Sequence, residues 1–277
     1  MSSTSPIWFI TGTSSGFGRS LAEEAIVRGH RVVATARDPG VLADLVARAP
    51  DRLLAVRLDV TKSDEISAAI AAANERFGAI DVLVNNAGFS VVGAVEETSD
   101  ADLRAVLEPM FFAPAALTRA VLPGMRARRR GTIVQLTSMG GFVTGPGFGA
   151  YCAAKHALEA LSESLAAEVE PFGVRVLIVE PGAFRTRLFG AGFRSLPAMQ
   201  DYAATVGPTR DYAARSDGAQ GGDPAKAARA IADAVAAGVP TLRLPLGGDA
   251  IDAIRKKLAH VASDVDQSES VARGTAY

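Results

Sequence analysis

Short apolar runs rich in β-branched residues alternate along the chain with longer, alanine-rich amphipathic stretches. Residues 7–11 read as a buried strand, followed by a glycine-rich turn and a helix that reaches about residue 28. Further strands are expected at 31–35, 53–58, 81–84, 132–136 and 174–179, with a short helix near 41–47 and a longer one over 63–77. In the longer one Ile66, Ala69, Ile70, Ala73 and Phe77 recur at three- and four-residue steps and so share one face. Strands alternating with crossover helices predict an α/β fold. The expected form is a Rossmann-type, doubly wound parallel sheet of about seven strands with helices on both faces, a three-layer sandwich. Uninterrupted apolar strands fit a sheet that is covered on both sides.

The pattern breaks over 184–222, where Gly190, Gly192, Pro197, Gly207, Pro208, Gly218, Gly221 and Gly222 interrupt apolar and aromatic residues. A long irregular insertion in a compact fold reads as a substrate-binding lid. Regular structure resumes at Asp223-Pro224, an N-cap followed by proline at the first helical position. A last strand is expected at 241–244 and a last helix at 249–261, with a polar tail from about 263 that frays. With no internal repeat and no linker, 1–277 reads as a single domain.

Composition narrows the function classes. Hydrophobic residues make up 48% of the 277 and charged residues 21%, enough apolar material for a large core. A net charge of −1 argues against nucleic-acid binding. The run Arg126, Arg128, Arg129 and Arg130 falls where a helix should end, the terminus that suits cations. Cys152 is the single cysteine, which excludes an intrachain disulfide and a cysteine-based metal site. His30, His156 and His260 show no ligand spacing, so no metal is expected. A reducing, cytoplasmic setting fits this usage. The N-terminus lacks the pattern of a signal peptide, and no membrane span is expected.

Candidate chemistry clusters at predicted strand ends, where ligands bind in such sheets. The turn Gly12-Thr13-Ser14-Ser15-Gly16-Phe17-Gly18 joins the first strand to the first helix. Its glycines permit close approach of a pyrophosphate, and the helix start offers free N–H groups. The second strand ends Ala36-Arg37, with alanine where an NAD enzyme usually carries an acid. A guanidinium there matches a 2′-phosphate, so NADP(H) is the expected cofactor; the alternative is that Arg37 only meets Asp38 or solvent. Tyr151 and Lys155 lie four apart, on one helix face. An ammonium beside a phenol is expected to lower the tyrosine pKa, so that Tyr151 can exchange a proton with a substrate oxygen. Ser138, just after the fifth strand, can hold that same oxygen.

These motifs resemble the short-chain dehydrogenase/reductase superfamily over nearly the whole chain, with a looser likeness to its 17β-hydroxysteroid and retinol dehydrogenase-like branch. The resemblance implies that Asp59 and Val60 contact adenine and that Asn86, Ala87 and Gly88 line the adenosine side. It implies that Pro181, Gly182 and Thr186 hold the nicotinamide carboxamide. It makes Ser138, Tyr151 and Lys155 the catalytic set, with Tyr151 and Lys155 also on the nicotinamide ribose. It suggests a homodimer or homotetramer acting on an apolar alcohol or carbonyl compound. One position departs from the family: Met110 stands where an asparagine usually supports a proton-relay water. Either a kink at Pro109 frees a backbone carbonyl near Ala105 to hold that water, or the relay is broken. The second alternative leaves open a weakly active, NADP(H)-binding regulatory protein. Phe142, Phe148, Phe184, Phe189, Phe193 and Leu196 are candidates for an apolar substrate pocket.

Overall fold

Burial on both faces turns the apolar runs into parallel strands, and the computed structural model describes residues 5–239 and 241–277. In chain order the strands are β1 (Ile7–Ile10), β2 (Arg31–Ala36), β3 (Leu53–Arg57), β4 (Val82–Asn85), β5 (Ser90–Val92), β6 (Gly131–Leu136), β7 (Val174–Pro181), β8 (Phe193–Ser195) and β9 (Arg243–Leu246). The helices are α1 (Gly16–Val27), α2 (Ala43–Arg48), α3 (Ser63–Phe77), α4 (Asp100–Leu107), α5 (Ala113–Arg128), α6 (Gly149–Val169), α7 (Gly207–Ser216), α8 (Pro224–Ala236) and α9 (Gly248–Arg273). Seven strands form the main sheet in the order β3-β2-β1-β4-β6-β7-β9, all parallel. The winding direction reverses between β1 and β4, and the crevice at that reversal is where such sheets bind ligands.

Each face of the sheet is covered by its own set of helices. Leu21, Ala22 and Ile26 of α1, Leu45 of α2 and Ile231 of α8 pack on one side. Ile66, Ala69 and Ala73 of α3, Leu117, Val121 and Met125 of α5, and Leu165 of α6 pack on the other, with Ile70 and Phe77 at the margin. The expected face of α3 is thus the buried one. Truncating a fully buried member such as Leu117 to alanine costs about 2–5 kcal/mol at sites of this kind.

Several elements differ from the reading of the sequence. Segment 184–222 is largely ordered into short pieces: β8, α7 and single 3-10 turns at Arg187–Phe189 and Gln200–Tyr202. β8 pairs in parallel with β5, which ties this segment to the loop after β4. The last strand is Arg243–Leu246, two residues later than the expected 241–244. The tail does not fray at 263; α9 runs to Arg273. Asp223 caps α8 by accepting from the N–H groups of Ala225 and Lys226, as the Asp-Pro pair predicts. Residues 100–128 form one helical run with a π turn at Glu108–Phe112, around Pro109. That run is long and apolar enough, by length and composition, to cross a membrane. In this fold its Leu117, Val121 and Met125 are in the core.

Candidate active site

The glycine-rich turn leaves β1 at the reversal point and is locked from behind by the segment after β4. The Asn86 side-chain amide donates to the carbonyls of Thr11 (2.7 Å) and Gly12 (3.1 Å). Thr11 Oγ1 accepts from the N–H groups of Asn86 (2.8 Å) and Ala87 (3.0 Å). Thr13 N–H and hydroxyl both donate to the Thr35 carbonyl, pinning the turn to β2. Gly18 has no room for a side chain, since a Cβ there would collide with the Gly12 carbonyl and the Asn86 amide. The turn is therefore held tightly against the start of α1, with Ser14, Ser15 and Gly16 facing outward.

The segment after β7 closes over this helix start. Thr186 lies within 3.3 Å of where a Gly16 Cβ would sit, and the Phe184 ring meets Phe17 at 5.1 Å. Between them is a cleft of ≈ 420 Å³, lined among others by Ser14, Ser15, Gly16, Arg185, Thr186 and Arg187. Serine hydroxyls, a helix N-terminus and the guanidinium groups of Arg19, Arg185 and Arg187, against one carboxylate, Asp217, make this a cleft suited to a phosphate-bearing ligand. Gly182 approaches Asp249, whose carboxylate accepts from the Ala183 N–H at 2.7 Å. Pro181 is the buried last residue of β7.

At the far end of the crevice Arg37 is exposed beyond β2, and its charge helps hold the Asp59 carboxylate below the usual range. The larger cause of that shift is the Thr61 N–H, which with the Thr61 hydroxyl donates to Asp59 Oδ1. Val60 packs at the margin of the core, and Gly88 is exposed with Met110 facing it.

Ser138 follows β6 and Tyr151 and Lys155 lie on α6. Gly140 fits between them: a Cβ there would fall 3.1 Å from Tyr151 Cε1 and 3.4 Å from Ser138 Oγ. The phenol ring and the hydroxyl thus approach the same glycine. Ser138 Oγ accepts from the Gly140 N–H at 3.0 Å. Lys155 Nζ donates to the Leu136 carbonyl at 2.8 Å and lies 6.0 Å from the Tyr151 ring centre.

Electrostatics at the pair differ from the expectation that the ammonium lowers the phenol pKa. Burial is the larger effect and pushes Tyr151 up to about 12, opposed by the neighbouring Ser138 hydroxyl. Burial likewise lowers Lys155 to about 8, opposed by Glu159. Met110 is fully buried in the cluster that contains Tyr151, Cys152 and Ala154. Cys152 is a packing residue whose thiol is raised to about 11 by burial, so it stays protonated at neutral pH.

One feature of the site lies outside the predicted set. Glu159, one helical turn past Lys155, is buried, and Arg243 of β9 joins it to Glu163 and Glu180. Burial raises Glu159 to about 7. The four-residue spacing of Tyr151, Lys155, Glu159 and Glu163 on α6 is the sequence signal that could have found it. The aromatic candidates divide. Phe148 meets both Tyr151 and Phe189 at 6.4 Å, and Phe189 meets Phe193 at 6.0 Å. Tyr212 joins them at 5.8 Å from Phe189, and Leu196 packs in the Tyr151 cluster. Phe142 lies instead under Arg243, and Phe184 against Phe17.

Fold and site together define a Rossmann-type α/β protein with a buried Tyr–Lys pair and a serine at the carboxyl edge of its sheet. The chain belongs to the short chain dehydrogenase family, whose pattern matches residues 6–195. Oxidoreductase BOA17 of Botryotinia fuckeliana is 37% identical over 262 residues, covering 94% of this chain and 95% of that one. A short-chain dehydrogenase from Streptomyces avermitilis superposes with a TM-score of 0.93 at 50% identity, over 99% of this chain and 100% of that one. A family member from Burkholderia phymatum, solved in complex with NAD, gives 0.80 at 25% identity over 91% and 92%.

Proposed function

We propose that this chain is an NADP(H)-dependent oxidoreductase that interconverts an alcohol and a ketone or aldehyde on an apolar small molecule. The observation that carries this reading is that the Tyr151 phenol and the Ser138 hydroxyl come together beside Gly140, with Lys155 one turn away. A nicotinamide dinucleotide, when bound, supplies or accepts the hydride. Ser14, Ser15 and Gly16 would hold its pyrophosphate in the tight turn from Gly12 to Gly18, which includes Thr13 and Phe17. Asp59 and Val60 would flank adenine, Asn86, Ala87 and Gly88 the adenosine, and Pro181, Gly182 and Thr186 the carboxamide. Tyr151 and Lys155 would bind the nicotinamide ribose. The cleft beside Gly16 and the crowded Gly18 support that placement.

Ser138 donates a hydrogen bond to the substrate oxygen and orients it toward Tyr151. In reduction Tyr151 Oη–H gives its proton to that oxygen while the carbonyl carbon gains the hydride. Burial pushes the Tyr151 phenol up to about 12, so at neutral pH it is in the protonated form that carbonyl reduction uses. The run of Phe148, Phe189, Phe193 and Tyr212 beside Tyr151 supports an apolar substrate. Exposed Arg37, with no ion pair among the described residues, supports a 2′-phosphate and hence NADP(H), although the Burkholderia relative was solved with NAD. A cytoplasmic homodimer or homotetramer completes the proposal.

Loss of NADPH absorbance with a panel of apolar ketones and aldehydes tests it. Turnover of at least one is expected; NADPH binding without turnover of any would contradict it. Buried Met110 favours a second reading, a weakly active regulatory protein. Met110→Asn separates the two: a large gain in kcat under chemistry-limited conditions points to a broken relay, and an unchanged kcat to a working one.

A further inference from the structure

The C-terminal helix α9 is anchored by buried Ala250 and Ile254 and then leaves the body of the protein. Every residue from Arg255 onward is exposed. The free part, through Arg273, spans roughly 28 Å at 1.5 Å per residue. In proteins most helical stability comes from packing of an apolar face, so the sequence of this projecting part must supply a reason for its form.

The reason is a seam. Ile251, Ile254, Leu258, Val261, Val265, Ser268 and Ala272 follow one another at alternating steps of three and four residues, the a/d spacing of a coiled coil. Ile254 packs on the body, whereas Ile251, Leu258, Val261 and Val265 are 38%, 51%, 42% and 60% exposed, so the apolar line beyond Ile254 has no partner in its own chain. Charge along the seam is divided by halves. Arg255, Lys256 and Lys257, against Asp252, make the first half basic, and Asp264, Asp266 and Glu269, against Arg273, make the second acidic. Lys257 and Asp264 are seven residues apart and flank the same side of the seam; Arg255 and Glu269 flank the other. Within the chain Asp264 meets His260 and Glu269 meets Arg273, while Arg255 and Lys257 carry no ion pair among the described residues.

We propose that α9 is a self-association surface that pairs antiparallel with α9 of a second copy of this chain. A parallel pair would set basic half on basic half. The antiparallel pair sets each basic half on the partner's acidic half, and two-fold symmetry makes every such contact twice. The inference gives the proposed homo-oligomer one specific interface and is independent of the enzymatic reading, because assembly is measured without turnover.

Sedimentation velocity of the full chain tests it, with far-UV circular dichroism and melting temperature of the body as fold controls. Val261→Glu/Val265→Glu places charge on exposed seam positions and is expected to halve the wild-type mass. Lys257→Glu alone should weaken that association by about tenfold, and adding Asp264→Lys should restore it. A monomeric wild type, an unchanged mass in the seam variant, or a double charge swap no better than the single one would overturn the proposal. So would co-sedimentation of wild type, but not of the seam variant, with phosphatidylserine vesicles, which would assign the face to lipid.

Discussion

Arg37 stands alone at the end of β2, beside buried Ala36, where an acid would bind ribose hydroxyls. The proposed NADP(H) preference therefore rests on two adjacent side chains, one missing a carboxylate and one bringing a guanidinium. Ala36→Asp combined with Arg37→Ala should move the ratio of Kd values for NADPH and NADH toward NADH by at least tenfold, about the effect of one charged contact. Equal ratios before and after would contradict the assignment. Tyr151 shows where reading residues one at a time falls short. Its spacing from Lys155 was legible in the sequence, but its pKa was not, because burial raises it against the Ser138 hydroxyl. Burial is a property of the packed cluster of Met110, Cys152 and Ala154 around it, which no local pattern encodes. The same holds for Glu159, whose partner Arg243 is 84 residues away.

Among the elements, those with a strong repeat were legible and those without were not. α3 runs over the predicted residues because its apolar face recurs through four turns. β5 and β8 have three residues each and exist through their mutual pairing, so neither carries a periodicity of its own. The π turn at Glu108–Phe112 follows from Pro109, which cannot donate within the helix. α9 continues past the polar residues at 263 because a polar helix with an apolar line is still a helix. Capping is legible and testable: Asp223→Ala should cost about 1 kcal/mol through the lost bonds to Ala225 and Lys226. For a chain of this size that lowers Tm by about 2–4 °C. An unchanged Tm would show that the cap contributes nothing.

Over the whole molecule, the parallel order of the sheet brings residues from six strand ends to one edge. Gly12 to Gly18, Arg37, Asp59, Asn86, Ser138 and Gly182 follow β1, β2, β3, β4, β6 and β7 respectively. The sequence places each of them after a strand, and the common direction of the strands makes them neighbours. The segment over 184–222 then contributes both sides of its neighbourhood, Thr186 toward the helix start and Phe189 and Phe193 toward Tyr151. Alcohol oxidation, which needs the phenolate, should rise with pH by up to about tenfold per unit below 12, whereas carbonyl reduction uses the form already present at neutrality.

The central claim is that the Tyr151 hydroxyl transfers the proton. Tyr151→Phe, assayed with NADPH and the best ketone of the panel, measures it directly. The account predicts that kcat falls by about 10²- to 10⁴-fold while NADPH still binds. Turnover at the wild-type rate without that hydroxyl would contradict it.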